Sequence, residues 1–579
     1  MQTSFSGGAA DIAFHNPGSE MPRDCVCQSH QDHRRSLPPR GRALFTEATE
    51  MAAAPPYDRM RSLADLFAKS DHRLTLAEAR RYISQFPQHY LGWKVAGACH
   101  EGLFEFDAAA KAMEKALRIH PGDAEGLGNL AKVYKDLGHL PDALATYRKA
   151  MRLRPDDTEI LGKYLFLLNY FNAASPEETF REASRFGSLL STWAAPERFT
   201  AWTPRLAGAA LKVGLVSGDL GNHPVGFFLE NVLQAIDPTK IEITLYPSSS
   251  RHDALTSRLQ SHGHAWKPIF GLDDADAATL IHADGIEILV DLSGLSAWHR
   301  LGVFARKPAP IQMSWLGYFA TTGLPEMDYL LADDISVPAA HENHFSETVI
   351  RLPHTRLCYG HDLLASAPAV IPAPAKPPGQ VVFGCFQNLS KITPEVTALW
   401  ARVMRELPQA RMRIQNIQLA SDGSRSQIVA QFQKNGIAAD RLDLHGPTSF
   451  DAYLKAHEDV DLILDTFPFP GGTTTCEALW MGVPTLTLAG ERLISRQGQS
   501  LLLAAGLGDW VAAGEDEFVA MAVSRAVDTA GLADLRQRLR AKVASSPLFD
   551  SQAFAGDLTQ AWLDIASESA QPGLSHGRR

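Results

Sequence analysis

The stretch Asp465-Thr466-Phe467-Pro468-Phe469-Pro470-Gly471-Gly472-Thr473-Thr474-Thr475-Cys476-Glu477-Ala478-Leu479-Trp480 decides the fold. A short apolar run at 462–464 precedes it and reads as a buried strand. Prolines and paired glycines then make a turn, and a threonine-rich start opens an apolar helix. A strand that passes through a glycine turn into a helix is the unit of a parallel α/β sheet, and such sheets bind ligands outside the carboxyl ends of their strands. Gly471 and Gly472 allow backbone N–H groups to approach a ligand closely, and the threonine hydroxyls add donors. Glu477 follows Thr473 and Thr474 by four and three residues, so it shares their helical face, where a carboxylate suits the two hydroxyls of a ribose. The plainer alternative is an ordinary capped helix after a strand.

Outward from this unit the same texture continues. Strand candidates fall at 212–216, 241–246, 286–292, 311–315 and 329–331, then, beyond a Pro/Ala-rich break at 365–378, at 381–386, 411–414, 441–444, 462–464 and 485–488. Near-continuous apolar strands alternating with helical stretches predict parallel sheets covered on both faces. Two such sets, each of about 150 residues, fit two Rossmann-like lobes in series, with the break composed as a hinge. Towards the amino terminus the period changes. Pro87, Pro121 and Pro155 are spaced 34 apart, the repeat of tetratricopeptide helix pairs. Trp93, Ala96, Gly97, His100, Ala109, Met113 and Ala116 in one repeat are matched by Leu127, Leu130, Ala131, Tyr134, Ala143, Tyr147 and Ala150 in the next. A weaker unit precedes Pro87 and another begins near Thr158. The expected order is an extension at 1–55 without structure, helical repeats at 56–205, lobes at 206–375 and 376–545, and a helix and tail at 546–579, the helix itself over 549–565.

Composition narrows the function. The 579 residues are 45% hydrophobic and 21% charged, a globular balance. Fifty-five Lys+Arg against 65 Asp+Glu leave a net charge of -10, which argues against a nucleic-acid binder with a dominant basic field. No apolar run approaches the length of a membrane span, and six scattered cysteines do not make a disulfide framework. The expectation is a soluble cytoplasmic protein with no membrane or nucleic-acid partner. Cys25-x-Cys27-x-x-His30-x-x-His33 has the residue types of a zinc site at a spacing tighter than folded sites use, so it weighs little.

Three further places carry chemistry. Ser217-Gly218-Asp219-Leu220-Gly221-Asn222-His223-Pro224 follows the first strand, and His223 there suits a base or a hydroxyl partner, or is a loop histidine without a task. Phe386-Gln387-Asn388-Leu389-Ser390-Lys391 leads to Thr393-Pro394, an N-cap and first helical residue, so Lys391 adds its charge beside a helix start that suits a phosphate. Asp274-Ala275-Asp276 and Asp459-Val460-Asp461 imitate the Asp-x-Asp of metal-dependent sugar transferases, but neither lies in a ligand loop, so no metal site is expected.

With these loops in hand the chain resembles the O-linked N-acetylglucosamine transferases of glycosyltransferase family 41 over roughly residues 75 to 565. The resemblance rests on Gly221-Asn222-His223-Pro224, the run from Pro308 to Tyr318, 386–391, 471–480 and Ser545-Ser546-Pro547-Leu548-Phe549. It implies a tetratricopeptide superhelix leading into a GT-B fold. It also implies a metal-independent, inverting enzyme that moves N-acetylglucosamine from UDP-GlcNAc to Ser or Thr of proteins docked in the repeat groove, with no cofactor beyond the donor. By position, His223 matches the active-site histidine proposed as base, Asp284 an acid proposed near the acceptor, and Lys391 the lysine on the diphosphate. Asn388 falls in the same loop. Gly472, Thr473 and Thr474 match the phosphate loop, Glu477 the ribose carboxylate, Gly317 the sugar wall, and Thr448 and Tyr453 the base and ribose loop. This chain departs from the animal enzymes in having Gly472 where they have histidine, Asn388-Leu389-Ser390-Lys391 for Gln-Leu-Tyr-Lys, and Glu477 for aspartate. Along the repeat groove Asn129 is one rung of their asparagine ladder, with Val95 one repeat earlier. The rival expectations are a protein O-fucosyltransferase using GDP-fucose, and a tetratricopeptide adaptor with a degenerate transferase region.

Overall fold

The computed structural model describes residues 57–569 apart from 69–70, 171, 173, 207, 361–363, 373–375 and 378–379. The expected unstructured extension at 1–55 and the Cys25/His33 motif lie outside the described residues.

Four helix pairs come first: α1 (Tyr57–Ala68), α2 (His72–Gln85), α3 (Tyr90–Gly102), α4 (Phe106–Ile119), α5 (Ala124–Asp136), α6 (Leu140–Leu153), α7 (Thr158–Leu168) and α8 (Pro176–Ala194). Pro87, Pro121 and Pro155 each stand two residues beyond a second helix, where a residue without an N–H cannot continue the ladder. The next pair then opens on a capping acid: Asp123 Oδ1 accepts from Gly126 N at 2.9 Å and Asp157 Oδ1 from Ile160 N at 3.1 Å. Small residues recur where the helices cross. A Cβ on Gly97 would lie 2.6 Å from Met113 Cγ, so glycine sets the separation of α3 and α4.

The first lobe runs β1 (Leu211–Ser217), α9 (Pro224–Ala235), β2 (Ile241–Pro247), α10 (Ala254–Ser261), β3 (Ala265–Trp266), α11 (Asp274–Ala283), β4 (Ile288–Asp291), α12 (Leu301–Phe304), β5 (Ile311–Ser314), β6 (Tyr329–Asp333) and β7 (Thr348–Leu352). The second runs β8 (Val382–Cys385), α13 (Pro394–Glu406), β9 (Arg411–Gln415), α14 (Asp422–Lys434), β10 (Leu442–His445), α15 (Phe450–Ala456), β11 (Leu462–Leu464), α16 (Thr473–Trp480), β12 (Thr485–Leu488), α17 (Leu493–Ala504), β13 (Val511–Ala512), α18 (Glu515–Val527) and α19 (Thr529–Ala544). Their sheets, β3-β2-β1-β4-β5-β6-β7 and β10-β9-β8-β11-β12-β13, are parallel throughout. In each the order reverses beside the first strand, β1 or β8, the switch point where such sheets take ligands.

The parts are joined by apolar packing. A single buried cluster runs from Leu127 and Tyr147 through Phe186 and Leu190 to Leu324 and Met327, so the last repeats and the first lobe share one core. The repeats also touch the second lobe. His139 Nε2 lies 3.1 Å from Gln427 Oε1 of α14, and a Cβ on Gly138 would sit 3.2 Å from Leu389 O. The final helix, α20 (Ser551–Ser569), crosses back to the first lobe, where Phe554 stacks on Trp315 at 6.1 Å. The segment expected as a hinge is tied to the second lobe: Arg540 Nη2 donates to Pro368 O at 2.7 Å, and Lys376 Nζ pairs with Asp461 at 2.5 Å.

Candidate active site

The turn after β11 is held from three sides. Asp465 Oδ1 accepts from Gly471 N at 2.8 Å, and its Oδ2 accepts from Thr487 Oγ1 at 2.8 Å; burial pushes this carboxyl up from the ordinary range. Gln387 Nε2, from the loop after β8, donates to Thr474 Oγ1 at 2.7 Å. Gln497 Nε2, on α17, donates to Gly471 O at 3.2 Å. A Cβ on Gly471 would lie 2.2 Å from Thr475 Oγ1 and 2.4 Å from Gln387 Nε2, so this packing requires glycine. The loop is thus anchored on its outer side, while the N–H groups of Thr473 and Thr474 precede the first intrahelical bonds, which run from Thr475 N and Cys476 N to Gly472 O at 3.1 Å. The Thr473 and Thr475 hydroxyls are buried and make no hydrogen bond among the described residues. Buried donors gathered at a helix start form an anion seat.

Lys391 closes that seat. It ends the 3-10 turn Leu389–Lys391, is 2% exposed, and places Nζ 3.4 Å from Pro470 O and 3.7 Å from the centre of the Phe469 ring. Asn388 caps the same turn and is buried. Phe469 is where the three parts of the molecule meet, 4.7 Å from Phe319 of the first lobe and 4.9 Å from Tyr170 at the end of the repeats. Gly317 stands two residues before Phe319; a Cβ there would be 1.8 Å from Leu292 O and 3.2 Å from Val225 Cγ2, which sets this segment against the start of α9. His223 caps that start. Its Nδ1 accepts from Val225 N at 3.3 Å, while Asp219 Oδ2 lies 3.7 Å away, beyond hydrogen-bond reach. An accepting Nδ1 leaves the ring proton on Nε2. Thr448 stands partly exposed after β10 and accepts from Gln415 Nε2 at 3.0 Å, on the same carboxyl edge of the second sheet.

Three expected site residues stand elsewhere. Asp284 caps the end of α11, ahead of β4 and so at the amino edge of the sheet, paired with Lys267 at 2.5 Å and the Tyr246 hydroxyl at 2.6 Å. Glu477 and Tyr453, expected at the ribose, stand together. Glu477 is fully buried, and its two oxygens accept from the Tyr359 hydroxyl at 3.1 Å and the Tyr453 hydroxyl at 2.6 Å. Burial pushes its carboxyl up to about 8, so it holds its proton at neutral pH. The face it shares with Thr473 turns inward at that depth, and the carboxyl locks tyrosines from both lobes. Sequence reasoning missed Asp291, at the carboxyl end of β4. It accepts from Ser293 N at 3.1 Å and Gly294 N at 2.8 Å, and burial pushes it up to about 7. It shapes the loop beside Gly218, whose N–H donates to Ser293 Oγ at 3.3 Å. Its place at a strand end was the one available signal. Among the described residues there is no group of three or more His, Cys, Asp or Glu that could hold a metal ion, and no helix is long and apolar enough to cross a membrane.

The model of glycosyl transferase family 41 matches residues 194–366 and 373–558, and a tetratricopeptide repeat model matches 103–163. The chain belongs to glycosyltransferase family 41. A structure of a mutant O-GlcNAc transferase from Thermobaculum terrenum superposes with a TM-score of 0.83 at 32% identity, covering 90% of this chain and 100% of that one. This places the two lobes of the family 41 member in the GT-B fold. Among sequence relatives, a barley protein named "Probable UDP-N-acetylglucosamine--peptide N-acetylglucosaminyltransferase SPINDLY" is 36% identical over 405 residues, covering 69% of this chain and 42% of that protein. An Arabidopsis thaliana protein named "Probable UDP-N-acetylglucosamine--peptide N-acetylglucosaminyltransferase SEC" is 29% identical over 366 residues, covering 61% of this chain and 37% of that protein. The chain spans less than half the length of these plant relatives.

Proposed function

We propose that this chain is an inverting protein O-glycosyltransferase that moves N-acetylglucosamine from UDP-N-acetylglucosamine onto Ser or Thr hydroxyls. One observation carries the proposal: a buried lysine amine lies against the loop that leads into a helix start whose Thr473 and Thr475 hydroxyls make no hydrogen bond among the described residues. That is the donor set for a diphosphate, and the names of the plant and Thermobaculum relatives supply the sugar and the acceptor. In the reaction the acceptor oxygen bonds to the anomeric carbon as the bond from that carbon to the diphosphate oxygen breaks. The electron pair leaves on the diphosphate and the hydroxyl proton is lost to the medium. Charge grows on the leaving group, so donors fixed in advance in a dry site contribute most, and Lys391 with the 472–474 N–H groups supplies them without a divalent cation. His223, with its proton on Nε2, orients the acceptor hydroxyl.

Acceptor chains dock on the repeats, where polar pairs link successive helix pairs: Asn129 Oδ1 accepts from Lys163 Nζ at 3.4 Å, and Lys94 pairs with Asp123 at 2.9 Å. The protein works in the cytoplasm, in keeping with four buried free thiols, Cys99, Cys358, Cys385 and Cys476. A thermal-shift panel of UDP-, GDP- and dTDP-sugars, with and without EDTA, followed by mass analysis of a Ser/Thr peptide, tests the proposal. Stabilisation by UDP-GlcNAc that survives EDTA, with one N-acetylhexosamine added to the peptide, is expected. Stabilisation by GDP-fucose alone, with a deoxyhexose on the peptide, overturns the choice of donor.

A further inference from the structure

Arg356 is 2% exposed in the loop after β7, and no carboxylate among the described residues lies within ion-pair distance of its guanidinium. The nearby Asp333 is committed to other donors. It accepts from Ile335 N at 3.0 Å, Ser336 N at 2.7 Å, the backbone N–H of Arg356 at 2.9 Å and Ser500 Oγ at 2.8 Å. Burial pulls the guanidinium down to about 10, with Asp333 working in the opposite direction. A buried cation without a paired anion is costly, so the hydrogen bond that its guanidinium makes among the described residues matters. Arg356 Nη2 donates to Gln497 Oε1 at 2.9 Å across the lobe boundary, and Gln497 Nε2 donates to Gly471 O at 3.2 Å. A Cβ on Gly472 would lie 3.1 Å from that same Nε2. A guanidinium only donates and a carbonyl only accepts, so an amide between them has a single workable orientation.

We propose that Arg356 is a positioning residue for the donor diphosphate: through the Gln497 amide it fixes the Gly471 carbonyl, and with it the direction of the 472–474 N–H groups. This rests on the 471–474 loop being the diphosphate seat. Arg356 belongs to the first lobe and the loop to the second, so the seat is completed only when the lobes are in contact. Other bonds from α17 to the first lobe, such as Arg496 Nε to Ile335 O at 2.5 Å, hold the lobes together but do not continue into the loop.

The test compares full-length wild type with Arg356→Met, Gln497→Leu, the double variant and Arg356→Lys. Calorimetry measures UDP against UMP, with GDP against GMP in parallel, and steady-state kinetics follow. Each single change should lower the diphosphate-to-monophosphate affinity ratio about tenfold, and the double variant should fall no further, because both links belong to one chain. Donor KM should rise, acceptor KM should stay constant, and Arg356→Lys should regain part of the loss. Should Arg356→Met fail to fold, the neutral swap Gln497→Leu decides alone. An unchanged ratio in Gln497→Leu, equal losses for mono- and diphosphate, or losses that multiply in the double variant would each overturn the inference while leaving the transferase reading intact. Wild type that binds no nucleoside diphosphate overturns both.

Discussion

At the scale of single residues, Glu477 is the instructive case. Its place on the helix face of Thr473 was legible from spacing, but the two tyrosine hydroxyls on it were not, since they come from residues 24 and 118 positions away. Long-range partners leave no local pattern. The consequence is measurable. An unfolded glutamate titrates near 4.5 and this one near 8, so between those values the folded chain keeps a proton the unfolded chain releases. Stability should therefore fall as pH rises from about 4.5 to about 8, by roughly 3–5 kcal/mol from this group. Glu477→Gln should flatten that part of a urea-melt series, and an unaltered slope would refute the assignment. His223 makes a second prediction. With Nδ1 accepting from Val225 N, His223→Ala should lower kcat and raise acceptor KM without changing the shape of the pH–rate profile. Loss of the acidic limb would show that the ring takes the proton.

At the scale of elements, the long apolar strands and the 34-residue helix period were legible because burial on both faces and close helix crossings leave repeating residue types. The strands that escaped notice were β3, β7 and β13. Two of these have two residues each, and β7 is interrupted by Arg351 and opens on Thr348, so no continuous apolar run announces it; all three are terminal strands with one neighbour. The turn between β11 and α16 was legible as a ligand loop from Gly471-Gly472, whereas its anchors Gln387 and Gln497 were not, because an amide on a surface-like stretch has no distinctive spacing. Packing around Gly471 leads to a prediction. Gly471→Ala places a Cβ 2.2 Å from Thr475 Oγ1, so the loop must move, and donor turnover should fall at least tenfold with little loss in Tm. Gly122→Ala, which meets nothing within 4 Å, should change neither.

At the scale of the molecule, the repeats are continuous with the first lobe through one shared core. Helices α1–α3, with Ala112 of α4, build an apolar cluster around Leu76, Tyr82 and Leu91, whereas Leu161, Leu165 and Phe186 belong to the cluster that includes Leu295 and Leu324 of the first lobe. A chain beginning at Phe106 should fold and bind UDP like the full protein while its peptide KM rises. One beginning at Ser175 should lose cooperative unfolding, because it strips that shared core. Circular dichroism melts and UDP titration of both truncations check this. The proposed transfer depends on the convergence of the Lys391 amine and the start of α16 on one leaving group. Its most direct test is the single-turnover rate of sugar transfer from saturating UDP-GlcNAc by wild type and Lys391→Met. A loss of roughly 10²–10³ in rate, with the fold intact, is the result the account predicts; a variant that transfers sugar within a few-fold of wild type would contradict it.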